Sequence, residues 1–395
     1  MRVQILQETH GADDALLLDE RWQSPSTFLY LPEKTAVSAE WVDRAIALIP
    51  DDLQRDHFAL LTSGSTGEPK LVIGSRTRAE GLARVLHAAQ ESGPVAETIV
   101  ALPLSYSYAF VNQWLWSRTF NRRLVVTDGF RKPDRILGTL QAADEAMLCL
   151  VGSQLPLFDA LAGDATFPGV VRLHFAGGRF PQEQLPRLRS RFPRARVFNN
   201  YGCAEALPRL TVRKAEEGAS ASDVGRPIEG VSLQSDATGA LRFRSAYGAV
   251  ALIEQGALKR IGPDDWVPTG DLGHEGEDGR WILDGRSGDV FKRHGEKVSA
   301  PAIVTAISSA WKGIAAAYRE ADRLGEPGLV LVVSPPPEAA ELNGILHALR
   351  ESLSRPQWPL RIEALEAMPL LANGKPDTAT ASSAPGRTVL WRQRI

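Results

Sequence analysis

The segment best equipped for chemistry is Leu61-Thr62-Ser63-Gly64-Ser65-Thr66-Gly67-Glu68-Pro69-Lys70-Leu71. A β-rich run at 58–62 feeds a loop of hydroxyls, glycines and one lysine. Glycines let backbone N–H groups approach an anion, hydroxyls add donors, and the lysine adds a point charge. Such a loop holds phosphate oxygens. It is not a Walker loop, because GxxxxGK[ST] is absent and Lys70 follows Pro69 instead of opening a helix. Lysine supplies only nine of the 45 cations. In a chain that favours arginine so strongly, a lysine inside a motif is informative, since the two cations differ in shape and hydration.

Six further segments follow in order: Ala176-Gly177-Gly178-Arg179, Asn200-Tyr201-Gly202-Cys203-Ala204-Glu205, Gly225-Arg226-Pro227, Thr269-Gly270-Asp271, the stretch 285–298, and Asn373-Gly374-Lys375-Pro376-Asp377. Together with the loop they span 62–377 and resemble the motifs of the adenylate-forming superfamily. That group comprises acyl- and aryl-CoA synthetases, adenylation domains of peptide synthetases and luciferase-like enzymes. The resemblance implies a two-step reaction. A carboxylic acid and Mg·ATP give an acyl-adenylate and pyrophosphate, and a thiol then displaces AMP. The thiol is coenzyme A or the phosphopantetheine of a carrier protein, with the carrier favoured.

The same resemblance implies roles. Thr62, Ser63, Gly64, Ser65, Thr66, Gly67 and Lys70 hold the phosphates of ATP. Gly177, Gly178, Asn200, Tyr201 and Gly202 form the adenine side, with the Tyr201 ring stacked along the base. Asp271 accepts from the ribose hydroxyls, and Arg286 adds a second contact. Glu205 is the hard oxygen ligand for Mg²⁺, with Thr66 beside it. Lys375 is the expected catalyst of adenylation: attack on the α-phosphate brings two anions together, and a bridging lysine offsets their repulsion. Gly288, Asp289, Lys292 and Gly295 form the hinge and the side presented to the thiol.

Departures from the pattern are informative. Ala204 stands where the family has threonine, which removes a hydroxyl donor. A donor to a charged group is worth ~1.5–3 kcal/mol. Tyr106 stands where many members carry histidine. Gly288 tolerates the φ/ψ change a rotation needs. The phosphate loop begins early in the chain, so a reduced N-terminal region is expected. Tyr106, Phe110, Trp114, Gly152, Ser153 and Phe175 are candidate walls of the acid pocket, suited to a flat aromatic or a medium acyl chain. No counterpart of the family's amino-acid-binding aspartate is evident, which argues against amino-acid activation. A nucleotide-binding or carrier-docking protein that has lost catalysis is the alternative from a different class.

The elements that position these residues follow from pattern. Short β-rich runs at 58–62, 71–73, 98–102, 123–127, 148–151, 170–175 and 197–199 alternate with amphipathic stretches at 77–89, 112–118 and 133–143. That spacing predicts α/β units with parallel-type sheets. From 209 to 284, strands broken by Gly, Pro and Asp predict a small antiparallel β subdomain. Beyond it a small mobile α+β unit is expected, with a helix over 300–311 capped by Ser299. The expected division is 1–285 and 286–395.

Composition excludes several classes. With 44% hydrophobic residues, 23% charged and a net charge of −2, the chain is neither disordered nor basic enough to imply nucleic acid or an anionic membrane. Two separated cysteines, Cys149 and Cys203, give neither a disulfide framework nor a zinc cluster. No signal peptide is visible, and no apolar run approaches the ~20 residues of a membrane span. A cytoplasmic enzyme is expected.

Overall fold

The computed structural model describes residues 3–11, 13–35, 37–63, 69–218, 220–287, 290–294, 296–371 and 375–393, with the backbone alone at Ser63, Val290, Lys292 and Lys297. The longest sheet has eleven strands. Its parallel half runs Arg123–Val126, Glu97–Val100, Ala146–Leu150, Val170–Ala176 and Arg196–Tyr201. Ala146–Leu150 and Val170–Ala176 are buried at every position. Continuous apolar runs of this kind are what a sheet covered on both faces requires. Arg196–Tyr201 then pairs antiparallel with Thr211–Lys214, which pairs with Asp223–Pro227. The expected antiparallel subdomain thus joins the parallel strands edge to edge in one sheet.

A second sheet of six strands carries the hairpin that flanks residues 64–68. Gln4–Gln7, Phe28–Leu31 and His57–Ser63 run parallel. Pro69–Ser75 and the hairpin of Ala251–Glu254 with Ala257–Arg260 complete it in antiparallel register. The two N-terminal strands and the return of residues 251–260 to this sheet were not anticipated from local pattern.

Helix Arg76–Ala89 buries Ala79, Leu82, Ala83 and Leu86 on one stripe at helical spacing. The segment expected as one helix over 112–118 is Ser107–Ala109, a π-turn at Phe110–Leu115, and Trp116–Thr119. Phe110 and Trp114 project into an aromatic cluster with Trp22 and Phe58, at ring-centroid separations of 4.7–5.4 Å. Near the C-terminus, Val298, Ile303, Ile307 and Trp311 pack with Leu329, Leu331, Val333 and Ile345 into a core of their own. The sheet there has four strands, Ile314–Ala321, Pro327–Ser334, Arg361–Ala364 and Thr388–Arg392. Its first helix is shorter than expected, Ala300–Ile307, and Ser299 does not cap it. The Ser299 hydroxyl reaches the Asp284 carbonyl instead. Among the described residues no helix is long and apolar enough to cross a membrane.

Candidate functional site

The antiparallel hairpin sets Thr62 opposite Lys70. The Thr62 hydroxyl is buried and finds no hydrogen-bond partner among the described residues. The Lys70 ammonium donates to Glu205, which sits on the short turn Ala204–Ala206 after the Arg196–Tyr201 strand. Gly64, Ser65, Thr66, Gly67 and the Ser63 side chain lie outside the described residues.

A cavity of about 700 Å³ opens beside this pair, with Thr62, Lys70, Glu205, Gly177, Arg286 and Lys375 on its walls. Two of its glycines are there for steric reasons. Gly177 has φ +76°, which L side chains rarely adopt. A Cβ on Gly202 would lie 1.8 Å from the Pro208 carbonyl oxygen, because the chain doubles back against it.

Strands Val267–Glu275 and Trp281–Arg286 pair so that Asp271 faces Arg286. The Asp271 carboxylate accepts from Tyr201 Oη at 2.8 Å and from Arg286 Nε at 3.1 Å. Lys375 enters this corner from the C-terminal unit, its Cε 3.5 Å from where a Gly177 Cβ would stand. Burial pushes the Lys375 ammonium down to about 8; the Arg286 cation adds to the shift and Asp271 opposes it.

Several expected site residues stand elsewhere. The Tyr201 ring packs in an apolar cluster with Leu210, Val224, Phe243 and Trp281, not along the cavity wall. Asn200 turns inward, where Oδ1 accepts from Gln90 and Nδ2 meets His174 Nδ1 at 3.3 Å. Gly178 abuts Val151. Of the six candidate acid-pocket residues, Tyr106 lines the cavity. Phe110 and Trp114, four residues apart, share the helix face turned toward Trp22 and Phe58. Phe175 faces the opposite side of the sheet from its neighbour His174 and packs on Phe180. Gly152 opens the turn Gly152–Gln154, which carries Ser153 and is pressed against the Arg179 carbonyl. Gly288, Asp289, Gly295 and the Lys292 side chain lie outside the described residues.

The sequence reading missed Tyr108 and Arg209, both on the cavity. Arg209 lies four residues beyond Glu205, and an arginine two residues before the half-buried strand Thr211–Lys214 was the available signal. No group of three His, Cys, Asp or Glu side chains among the described residues forms a metal cage. Glu205 supplies a single carboxylate beside Lys70, which fits an ion held mostly by phosphate oxygens.

The AMP-binding enzyme family model matches residues 6–239, more than half of the chain. The chain belongs to the AMP-binding enzyme family. This AMP-binding enzyme is 27% identical over 340 residues to a salicylyl-CoA synthase / salicylate adenylyltransferase of a Streptomyces species, covering 80% of this chain and 61% of that protein. It is 25% identical over 267 residues to a D-alanine–D-alanyl carrier protein ligase of Bacillus licheniformis, covering 61% and 52%. The chain thus spans about three-fifths of the length of the first relative. Its fold matches ATP-bound MatB from Rhodopseudomonas palustris at a TM-score of 0.75, with 18% identity over 97% of this chain and 88% of that one. It also matches an o-succinylbenzoate CoA synthetase from Bacillus subtilis holding its acyl-adenylate, at 0.70, with 18% identity over 99% and 84%. The fold is therefore the mixed α/β architecture of adenylate-forming ligases.

Proposed function

We propose that this AMP-binding enzyme is an ATP-dependent carboxylate ligase. It forms an acyl- or aryl-adenylate, releases pyrophosphate, and passes the acyl group to the phosphopantetheine thiol of a carrier protein. The observation that carries this reading is the meeting of Lys375 with Gly177, Arg286 and the Lys70–Glu205 pair around one cavity. Lysines and an arginine converge where a triphosphate needs counter-charge, and the Thr62 hydroxyl is a donor without an acceptor among the described residues. That hydroxyl offsets the donor lost at Ala204.

In the first step a carboxylate oxygen bonds to the α-phosphorus while the bond to the pyrophosphate oxygen breaks. Lys375 bridges the two anions and holds them in line. Asp271 and Arg286 orient the ribose, and Glu205, with Thr66 from the loop as the sequence reading has it, would hold Mg²⁺. The ion neutralises phosphate charge when bound. In the second step the thiolate sulfur attacks the acyl carbon, AMP leaves with the bonding pair, and the thiol proton passes to solvent. The unit at 286–395 turns about Gly288 and Asp289 between the steps, withdrawing Lys375 and presenting Lys292 and Gly295. An ATP-consuming reaction of this kind suits a cytoplasmic location.

The relatives support both acceptor types, since one is named for a CoA thioester and another for a carrier protein. Pyrophosphate exchange with a panel of benzoates, cinnamates, fatty acids and dicarboxylic acids tests the first step. Absence of exchange with every acid, in protein that binds ATP, overturns the ligase reading. Loading of carrier protein in preference to free coenzyme A tests the acceptor, and faster turnover with coenzyme A reverses it.

A further inference from the structure

Most buried carboxylates of this fold meet an arginine. Glu97, Asp159, Asp223, Asp271 and Glu363 each stand within 3.3 Å of one. Asp14 is held locally instead, by the amide and hydroxyl of Thr9. Glu8 has neither arrangement. It is 2% exposed, and its ion-pair neighbour among the described residues is His10, with Nδ1 at 3.4 Å. Its two oxygens take their donors from a segment 96 and 97 residues away: Leu104 N–H at 2.6 Å and the Ser105 hydroxyl at 2.5 Å.

The two large sheets meet at this contact. Glu8 follows strand Gln4–Gln7 of the six-stranded sheet, and its N–H donates to the Leu31 carbonyl at 2.9 Å, which carries on the parallel ladder. The turn at 103–106 follows strand Glu97–Val100 of the eleven-stranded sheet, with Tyr106 N–H donating to the Pro103 carbonyl at 3.3 Å. Leu104 is sealed in the core, whereas Tyr106, two residues on, lines the cavity. A carboxylate fixed to one sheet thus grips the turn that delivers a cavity wall from the other.

The groups facing Glu8 come from every element packed on it. His10 and Asp14 lie on its own segment, Tyr30 on strand Phe28–Leu31, and Ser105 and Tyr106 on the turn. Glu33, Arg131 and Asp128 stand beyond His10, which burial and then Arg131 hold below the usual imidazole range. Burial pushes the Glu8 carboxyl up to about 7, opposed by the Ser105 and Leu104 hydrogen bonds and helped by Asp14. The ionised group accepts at both oxygens. Once protonated, one oxygen must donate, so the Ser105 hydroxyl turns round and both bonds lose their charge assistance.

We infer that Glu8 is a positioning residue: its carboxylate clamps the Leu104–Ser105 turn and so sets Tyr106 as the wall against which the carboxylic acid lies. This rests on the ligase reading, with Tyr106 on the acid side of the cavity. Pyrophosphate exchange with benzoate, cinnamate, butyrate and glutarate tests it. At pH 8, Glu8→Ala should raise the KM for each acid that supports exchange by on the order of 10- to 100-fold, and Glu8→Gln by about fivefold. The KM for ATP should stay unchanged in both. Glutamine has the donor and acceptor pattern of the protonated carboxyl, so the parent should converge on Glu8→Gln as pH falls from 8 to 6. The fold favours that neutral pattern, and Glu8→Gln should therefore melt no lower than the parent at pH 8. A bond that served stability alone would lower the melting point and leave the KM for the acid unmoved. Equal KM for the acid in parent and Glu8→Gln at pH 8, a KM for ATP that rises in step, or a gap that persists at pH 6 overturns the inference. So does loss of the convergence in His10→Asn, which would assign the pH dependence to His10. Amide hydrogen exchange over 103–110 in ligand-free protein separates this from the ligase reading. Faster exchange in Glu8→Ala, where no acid supports pyrophosphate exchange, upholds the clamp and faults the ligase; unchanged exchange overturns the clamp.

Discussion

Lys375 meets two opposing demands. On the proposed mechanism it must be charged to bridge carboxylate and phosphate, yet burial and Arg286 favour its neutral form and bring it to about 8. The cation is the working form, so adenylation should be sustained below about pH 8 and should fall as pH rises through that value. In kcat/KM for ATP, which reports the free enzyme, the fall is about tenfold per pH unit on the alkaline limb. Thioester formation from supplied adenylate should lack this limb if Lys375 is withdrawn in that step, as proposed. A pH profile of each half-reaction checks both statements. Lys375→Arg keeps its charge to far higher pH, so its residual adenylation should show no limb near 8; a limb retained in that variant assigns it to another group. At the same scale, the Lys70–Glu205 pair predicts an asymmetry. Glu205→Gln should raise the Mg²⁺ concentration needed for half-maximal exchange, whereas Lys70→Met should raise the KM for ATP at saturating Mg²⁺. Titrations of metal and nucleotide distinguish them.

At the scale of elements, the helical segment Ser107–Thr119 shows what local pattern can and cannot tell. Its existence was legible, and so was its apolar content. The direction of each face was not, because Phe110 and Trp114 are aimed by partners at Trp22 and Phe58, far away in sequence. Large aromatics near a motif looked like pocket walls and are core. Trp114→Ala should therefore cost ~3–5 kcal/mol of stability while leaving the ranking of acids by kcat/KM unchanged. Denaturant unfolding and the exchange panel measure the two effects, and a reordered ranking would return Trp114 to the pocket. Strand positions were similarly legible from β-rich runs, and the Thr62–Lys70 hairpin follows directly from the loop between them. Sheet membership was hidden: the pairing of Ala251–Glu254 with Pro69–Ser75 joins segments that share no local signal.

At the scale of the whole molecule, the question is what holds the C-terminal unit where Lys375 reaches the cavity. Arg179 follows the Gly177–Gly178 turn and donates to Thr305 Oγ1 and Ser308 Oγ, both at 3.1 Å, while its Nη1 pairs with Glu183 at 2.8 Å. Thr305 and Ser308 stand at the end of helix Ala300–Ile307, so one side chain ties the Gly177–Gly178 turn to the unit bearing Lys375. Hydrogen bonds of this kind are worth about 1 kcal/mol each, more when the donor is charged. Losing both should shift the balance away from the docked arrangement by roughly ten- to a hundredfold. If the unit alternates between two orientations, Arg179→Ala slows adenylation by about that factor and leaves thioester formation from supplied adenylate unchanged or faster. Thr305→Val with Ser308→Ala, which removes the acceptors and keeps Arg179, should reproduce the same split. Rapid-quench measurement of the two half-reactions decides the matter: equal losses in both would mean that Arg179 braces one fixed arrangement and that Lys375 never leaves the cavity.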